Sequence, residues 1–148
     1  MNFVPKSFSS STNENKFFND FKHKFCIEKI DENHSYSHGS KHPSIIKVGS
    51  NDIGCIALQG LNNSGSPTIR ITYLFIYEQK IGSGSLVLST LCELADKYDV
   101  CLELDAIPQK RTKDSISRKK LISWYQRFGF NIEIQGDYFM RRYVQTHR

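Results

Sequence analysis

Hydrophobic and polar positions follow two different periods along the chain, and the changes between them predict the order of helices and strands. Residues 1–15 are rich in Ser and Asn and predict a loose lead-in. The phenylalanines between residues 17 and 25 are spaced as on one side of a short helix, and residues 25–30 alternate as in a first strand. The polar residues 31–43 predict a loop.

Apolar runs of the strand type come next. Short runs occupy residues 44–49 and 55–60, and residues 68–77 (TIRITYLFIY) are rich in β-branched and aromatic side chains. A glycine-containing turn then separates this long strand from residues 85–98, whose apolar side chains recur at helical spacing.

The second half of the chain continues the alternation. Residues 100–107 predict a strand that Pro108 stops, and residues 117–128 predict a helix with Gly129 where a C-terminal cap belongs. Residues 131–144 predict a closing pair of strands. The whole order predicts an α/β fold with a mixed sheet and one βαβ crossover.

Composition limits the class of protein. A chain of 148 residues with 39% hydrophobic content suffices for one compact domain, which we assign to residues 16–148. The formal net charge is +5 and the sequence pI is about 9.0. Such mild basicity suits a polyanionic ligand, either a phosphorylated coenzyme or a nucleic acid, and does not choose between them.

The cysteines predict a reducing compartment. Cys26, Cys55, Cys92 and Cys101 form no C-x-x-C pair, so neither a zinc ribbon nor a thioredoxin-like site is indicated. The N-terminal residues lack the continuous apolar stretch of a signal peptide, and no window is apolar enough for a membrane span. We therefore expect a cytoplasmic protein.

The turn after the long strand is the first candidate site. Gly82 and Gly84 lie where a strand gives way to a helix. The N-terminus of a helix has unpaired N–H groups and the positive end of the dipole, and glycines let a ligand approach the backbone, so this junction suits a phosphate group. An ordinary tight turn fits the same residues, and the patterns of the P-loop and of dinucleotide-binding folds are absent.

Two motifs resemble those of the GNAT superfamily of N-acetyltransferases. Residues 79–84 (QKIGSG) are similar to the R/Q-x-x-G-x-G/A motif whose backbone amides hold the coenzyme pyrophosphate in that family. Residues 121–130 (LISWYQRFGF) look like the end of the family's next helix, and residues 138–141 resemble its final strand. The resemblance covers residues 68–143 and is strongest to small acetyltransferase-like proteins of bacteriophages and mobile elements.

The resemblance implies a central, mostly antiparallel sheet with flanking helices, and acetyl-CoA as co-substrate. It implies direct attack of an acceptor amine on the thioester in a ternary complex, with Tyr125 as the general acid for the leaving thiolate. A purely packing role for Tyr125 fits the helix pattern as well. The coenzyme contacts that the resemblance implies are Leu74, Phe75, Ile76, Gln79, Lys80, Ile81, Gly82, Ser83, Gly84 and Ser85.

Other polar residues allow weaker inferences. Glu78 lies just past the long predicted strand and Asp105 lies at the end of the next one, so both are candidates for the base that deprotonates the acceptor, although either also fits a solvated turn. A basic cluster could receive the 3′-phosphate of the coenzyme or a nucleic acid backbone, or form a solvated face: Lys110, Arg111, Lys113, Arg118, Lys119 and Lys120. His34, His38 and His42 lack a completing Cys or carboxylate, so no metal site is predicted.

Three functions stay open at this point. The chain is an acetyltransferase for a small-molecule amine, an acetyltransferase for a macromolecule (a protein or an aminoacyl-tRNA), or a non-enzymatic module that keeps the fold. The region that normally builds the acceptor pocket in GNAT proteins is short here, which leaves the acceptor undefined. The aromatic N-terminal segment could support a homodimer.

Overall fold

The chain folds into a sheet with helices packed on it, in a computed structural model that describes residues 4–29, 44–61, 66–77, 82–108 and 117–146. Within these ranges the helices are α1 (Val4–Lys24), α2 (Ser83–Lys97) and α3 (Arg118–Gln126). The strands are β1 (Cys26–Lys29), β2 (Ser44–Val48), β3 (Asn51–Leu61), β4 (Thr68–Ile76), β5 (Cys101–Asp105), β6 (Asn131–Ile132) and β7 (Phe139–Arg142).

The strands form one sheet in the order β1-β2-β3-β4-β5-β7-β6. Every neighbouring pair is antiparallel except β4 and β5, which are parallel and are joined through α2. The predicted fold class is therefore confirmed: a mixed, mostly antiparallel sheet with one βαβ crossover and flanking helices. The predicted loop at residues 31–43 lies outside the described residues.

The two helices that follow β4 and β5 have local causes in the sequence. In α2 the residues at helical spacing, including Val87, Leu91 and Leu94, are buried. The hydroxyl oxygen of Ser117 accepts a hydrogen bond from the amide of Lys120 at 3.2 Å and so caps the N-terminus of α3. Gly129 has φ +97° just past the end of α3, as its predicted cap position requires.

The first helix is longer than the sequence predicts. α1 begins at Val4, so it includes residues 4–15, for which the sequence predicts a loose lead-in. The buried rings of Phe17 and Phe21 fix the second half of α1 on the core. Because adding a residue to an existing helix costs less than nucleating one, a helix anchored at one end can extend through a polar stretch.

The sheet has two different faces. All three helices contribute to one apolar cluster, which also includes Ile46 of β2 and Ile56 of β3. Their chain neighbours Ile45 and Cys55 belong to a second, smaller cluster, to which no described helix residue contributes. Since successive side chains of a strand point to opposite faces, the first cluster defines a helix face and the second an opposite face.

Candidate active site

The pairing of β4 with β5 ends early and opens the sheet near its centre. The two parallel strands are in register from Thr68↔Cys101 to Arg70↔Glu103, whereas β4 continues to Ile76. We call the gap between residues 72–76 and residues 104–108 the wedge. β5 does not pair with this edge of β4 beyond Arg70, and an edge of this kind is suited to a ligand that carries amides of its own.

A β-bulge lies where the wedge begins. Ala57 of β3 pairs with Tyr73, and its neighbour Leu58 pairs with Ile71, so Thr72 is an extra residue in β4. The hydroxyl of Thr72 donates a hydrogen bond to the carbonyl oxygen of Ala57 at 3.1 Å. In a regular strand Ile71 and Tyr73 would point to the same face. Because of the extra residue between them, Ile71 packs on the helix face and Tyr73 packs on the opposite face.

A pocket of about 790 Å³ occupies the helix side of the wedge. Its volume is within the range of small-molecule and coenzyme sites, about 300–1,000 Å³. Its walls come from the end of β4 (residues 74–76), the start of α2 (Gly82, Gly84 and Ser85), the residues after β5 (Ile107 and Pro108) and α3. The elements that the glycine and aromatic motifs occupy therefore meet at one pocket.

The N-terminus of α2 faces this pocket, and no side chain in the described ranges caps its amides. The N-cap residue Gly82 has φ +83°, a left-handed conformation that disfavours other residues, and it makes no side-chain cap. The first intrahelical bond runs from the amide of Leu86 to the carbonyl of Gly82 at 3.0 Å. The amides of Ser83 to Ser85 precede that bond, so they have no acceptor within the helix and are suited to an anion.

Gly84 lies closer to its neighbours than Gly82. A Cβ added there would be 3.4 Å from the Trp124 ring and 3.5 Å from Ile76, which is ordinary contact. An alanine therefore fits at Gly84, whereas any longer side chain must displace the indole or enter the pocket.

Aromatic side chains of α3 form the wall opposite β4. The indole N–H of Trp124 donates to the hydroxyl of Ser85 at 3.4 Å, which ties α3 to the start of α2. The rings of Trp124 and Tyr125 are 5.1 Å apart, and Tyr125 also packs against Phe130 at 5.5 Å. Burial raises the pKa of the Tyr125 phenol well above its ordinary value, so this group keeps its proton at neutral pH.

Cationic side chains lie on the same wall. Lys119, Lys120 and Arg127 line the pocket. Arg118 is used differently, because it donates to the carbonyl oxygen of Asp137 at 2.6 Å and lies 4.2 Å from the centre of the Tyr138 ring. The remaining members of the predicted basic cluster, Lys110, Arg111 and Lys113, lie outside the described residues.

Asp105 lies on the opposite face, at the end of a chain of ion pairs. Arg141 contacts Glu103 at 3.4 Å, Glu103 contacts Arg70 at 3.2 Å, and Arg70 contacts Asp105 at 2.5 Å. The Glu103 side chain is 11% exposed and that of Asp105 is 41% exposed, so this ion-pair chain runs from a buried carboxylate to one that solvent reaches.

The structure brings most of the predicted site residues together. Leu74, Phe75, Ile76, Gly82, Gly84, Ser85 and Tyr125 line the pocket, and Ser83 is in the first turn of α2 beside them. Glu78, Gln79, Lys80 and Ile81 lie outside the described residues. Four further lining residues were not predicted as site residues: Ile107, Pro108, Ser123 and Arg127. Ser123 and Arg127 lie at positions that the aromatic motif leaves unspecified, whereas Ile107 and Pro108 become neighbours of the pocket through the fold.

Metal and membrane features were also sought in the described part of the chain. No group of three or more His, Cys, Asp or Glu side chains in those ranges could hold a metal ion, and His34, His38 and His42 lie outside them. None of the described helices combines the length and the apolar character that a membrane crossing requires.

Comparisons with known proteins give structural neighbours only. No protein-family model matches the chain, and no curated sequence is similar to it. Solved structures with a similar chain path include the anti-CRISPR protein AcrVA5, with 22% identity over 67% of this chain and 96% of the other at a TM-score of 0.49.

Two further neighbours are acetyltransferases. Naa50 from Arabidopsis thaliana, solved with a CoA-peptide bisubstrate analogue, has 18% identity over 76% of this chain and 82% of its own at a TM-score of 0.49. A GNAT family acetyltransferase from Elizabethkingia anophelis, solved with acetyl-CoA, has 15% identity over 82% and 99% at a TM-score of 0.49. Likeness at these values does not establish a shared activity, so the function is inferred from the geometry of the site.

Proposed function

We propose that the protein is an N-acetyltransferase of the GNAT type, which moves the acetyl group of acetyl-CoA to an amine acceptor by direct attack in a ternary complex. The observation that carries this proposal is the wedge between β4 and β5. It joins an uncapped helix N-terminus, a pocket of about 790 Å³ and a buried phenol in one continuous site. The glycine and aromatic motifs of the sequence occupy the same elements.

The pocket matches the parts of acetyl-CoA. The amides of Ser83 to Ser85 bind the pyrophosphate, because they combine free N–H donors with the positive end of the α2 dipole. Lys119 and Lys120 lie on the same wall and attract the remaining phosphate of the coenzyme. The edge of β4 at residues 74–76, which does not pair with β5, lies beside the amides of the pantetheine arm, and that arm extends along the wedge.

The transfer forms one bond and breaks another. The nitrogen of a neutral acceptor amine attacks the thioester carbonyl carbon and becomes positively charged. The tetrahedral intermediate then loses this nitrogen's extra proton to solvent, and the C–S bond breaks with its electron pair on sulfur. Because an ordinary amine has a pKa near 10.4, it must first give a proton to a base or to water. Asp105 stays a candidate for that base, and Glu78 is the other.

Tyr125 stabilises the leaving sulfur. Its raised pKa keeps the phenol protonated, so it can donate a hydrogen bond to the thiolate as negative charge develops there. A thiol has a pKa of about 8.5, so complete transfer of the phenolic proton to the sulfur is unfavourable. We therefore assign Tyr125 the role of a hydrogen-bonding acid in the transition state, with final protonation of the thiolate by solvent.

Binding of acetyl-CoA tests the site without knowledge of the acceptor. Trp124 is the single tryptophan of the chain and lines the pocket, so its fluorescence should change when acetyl-CoA is added. A ligand at about 100 times its Kd should also stabilise the native state by about 2.7 kcal/mol. We expect both signals in the wild type and in Gly84→Ala, because an added methyl makes only ordinary contacts.

Gly84→Glu is the matched disruptive variant. A carboxylate at a helix N-terminus favours folding but occupies the anion site, so both signals should disappear while the variant stays folded. A folded wild type that shows neither signal would contradict the proposal. Coenzyme binding without release of free CoA over a broad panel of amines, peptides and aminoacyl-tRNA would instead favour the non-enzymatic module.

A further inference from the structure

A buried arginine on β7 connects that strand to two elements of the pocket wall, α2 and the end of α3. Arg142 is only 3% exposed, and it donates from both Nη atoms to the two carboxylate oxygens of Asp96 on α2, at 2.9 Å each. Its Nε donates to the carbonyl oxygen of Phe128, just beyond α3, at 2.7 Å. The amide of Gln145 also donates to Asp96, at 2.8 Å. We call Asp96 and Arg142 together the Asp96–Arg142 clasp.

The clasp holds the turn that carries the proposed catalytic phenol. The amide of Phe128 donates to the carbonyl of Tyr125 at 2.9 Å, and the amide of Phe130 donates to the same carbonyl at 3.3 Å. The Phe128 ring also contacts Trp124, with 5.6 Å between centroids. A guanidinium on the Phe128 carbonyl therefore fixes the end of α3 from which both pocket aromatics project.

The chemistry of the clasp indicates that it positions the elements it joins more than it stabilises the folded state. Removing two charges from water costs free energy that their mutual attraction only partly returns, so apolar residues stabilise such a location as well or better. What a bidentate arginine adds is a fixed geometry, since its planar donors match both carboxylate oxygens in one orientation. A lysine in the same place keeps the charge and loses the geometry.

We infer that the Asp96–Arg142 clasp is a positioning device that sets Tyr125 and Trp124 against the β4 side of the pocket. The inference rests on the proposed acetyl transfer for its kinetic consequence, and on the fluorescence of Trp124 for a consequence that needs no activity. The α2 amides that bind pyrophosphate lie at the other end of that helix from Asp96. Loosening the clasp should therefore affect the reacting end of the substrate and spare the phosphate end.

Arg142→Lys and Asp96→Asn test the inference. Both should shift the emission of Trp124 in the free protein, leave the acetyl-CoA Kd within about twofold, and lower kcat about tenfold to a hundredfold, as small misplacements of reacting groups do. The acceptor used is the amine that the wild type acetylates fastest. The control is Asp20→Asn, because Asp20 of α1 also ties down the end of α2, through Lys97 and Tyr98, but has no bond to α3.

A double-mutant cycle separates positioning from general stability. If Arg142 acts through Tyr125, then Arg142→Lys should have little further effect on kcat once Tyr125 is replaced by Phe. Equal losses in the presence and absence of the Tyr125 hydroxyl, or an unchanged Trp124 spectrum, would overturn the inference. A wild type that does not bind acetyl-CoA would instead overturn the proposed function, and the Trp124 spectra would still decide whether the clasp positions α3.

Discussion

The two faces of the sheet are built from the same strands but differ in what covers them and in how polar they are. The helix face gathers the side chains of all three helices over a continuous apolar cluster and contains the pocket. The opposite face has a small cluster around Tyr73 and Phe75, and next to it the ion-pair chain that ends at Asp105. Alternate residues of β5 show the contrast directly, since Leu102 and Leu104 face the helices while Glu103 and Asp105 face away.

This difference indicates that the pocket and the larger contribution to stability lie on the same face of the sheet, the helix face. On the helix face, burial keeps the Tyr125 phenol and the Cys92 thiol protonated and makes every lost methylene costly. On the opposite face, charges compensate one another in partly solvated pairs, which contribute little to folding. Matched substitutions on the two faces test this difference.

Tyr125 and Tyr73, which are both buried but lie on different faces, should differ most. Tyr125→Phe removes the phenol that donates to the leaving sulfur and should slow acetyl transfer by about 10²–10⁴-fold with little change in acetyl-CoA affinity. Tyr73→Phe changes an equally buried tyrosine on the opposite face and should leave turnover near that of the wild type. Steady-state kinetics on both variants measure this difference. If Tyr125→Phe turns over as fast as Tyr73→Phe and the wild type, Tyr125 has no part in the mechanism.

Two residues of β5 should differ next. Leu102 is 0% exposed on the helix face, so Leu102→Ala should lower the free energy of unfolding by about 2–5 kcal/mol. Asp105 pairs with Arg70 while 41% exposed, so Asp105→Asn should cost less than about 1 kcal/mol. Urea denaturation at neutral pH measures both. A larger loss for Asp105→Asn than for Leu102→Ala would mean that the ion-pair chain, and not the helix face, holds β5.

Alkaline pH should weaken the helix face through Cys92. Burial raises the pKa of this thiol from its ordinary value near 9.0 to about 11. The native state therefore keeps a proton that the unfolded chain loses, and the stability falls as pH rises from about 9 towards 11, by roughly 2 kcal/mol. Urea midpoints between pH 8 and pH 10.5 should show a steeper fall in the wild type than in Cys92→Ala. Parallel curves for the two proteins would mean that the thiol is solvated.

Much of the fold could be predicted from the sequence because its causes are local. The apolar spacing of Val87, Leu91 and Leu94 predicts α2, and the β-branched run at residues 68–77 predicts β4 to within a residue of its end. The glycine turn and Tyr125 could be selected because each belongs to a short motif, and the structure brings both to one pocket. Their roles in catalysis stay predictions.

Other features could not be predicted, because they depend on contacts between residues that are far apart in the sequence. The bulge at Thr72 depends on how β3 pairs with β4, and the wedge depends on where β5 stops following β4. Asp96 and Arg142 are separated by more than forty residues and read as ordinary surface charges in the sequence. The length of α1 was also missed, because its polar first half is held by the packing of later phenylalanines.

Because of the wedge, part of β4 has no β5 partner and resembles an edge strand, although β4 lies inside the sheet. A strand with unused backbone groups at the border of a sheet invites pairing with other molecules and is a common origin of aggregation. In β4 the segment without a β5 partner lies beside the pocket, inside the sheet and not at its outer border. The fold thus places a strand edge where a ligand in the wedge reaches it, and away from the border where whole molecules meet.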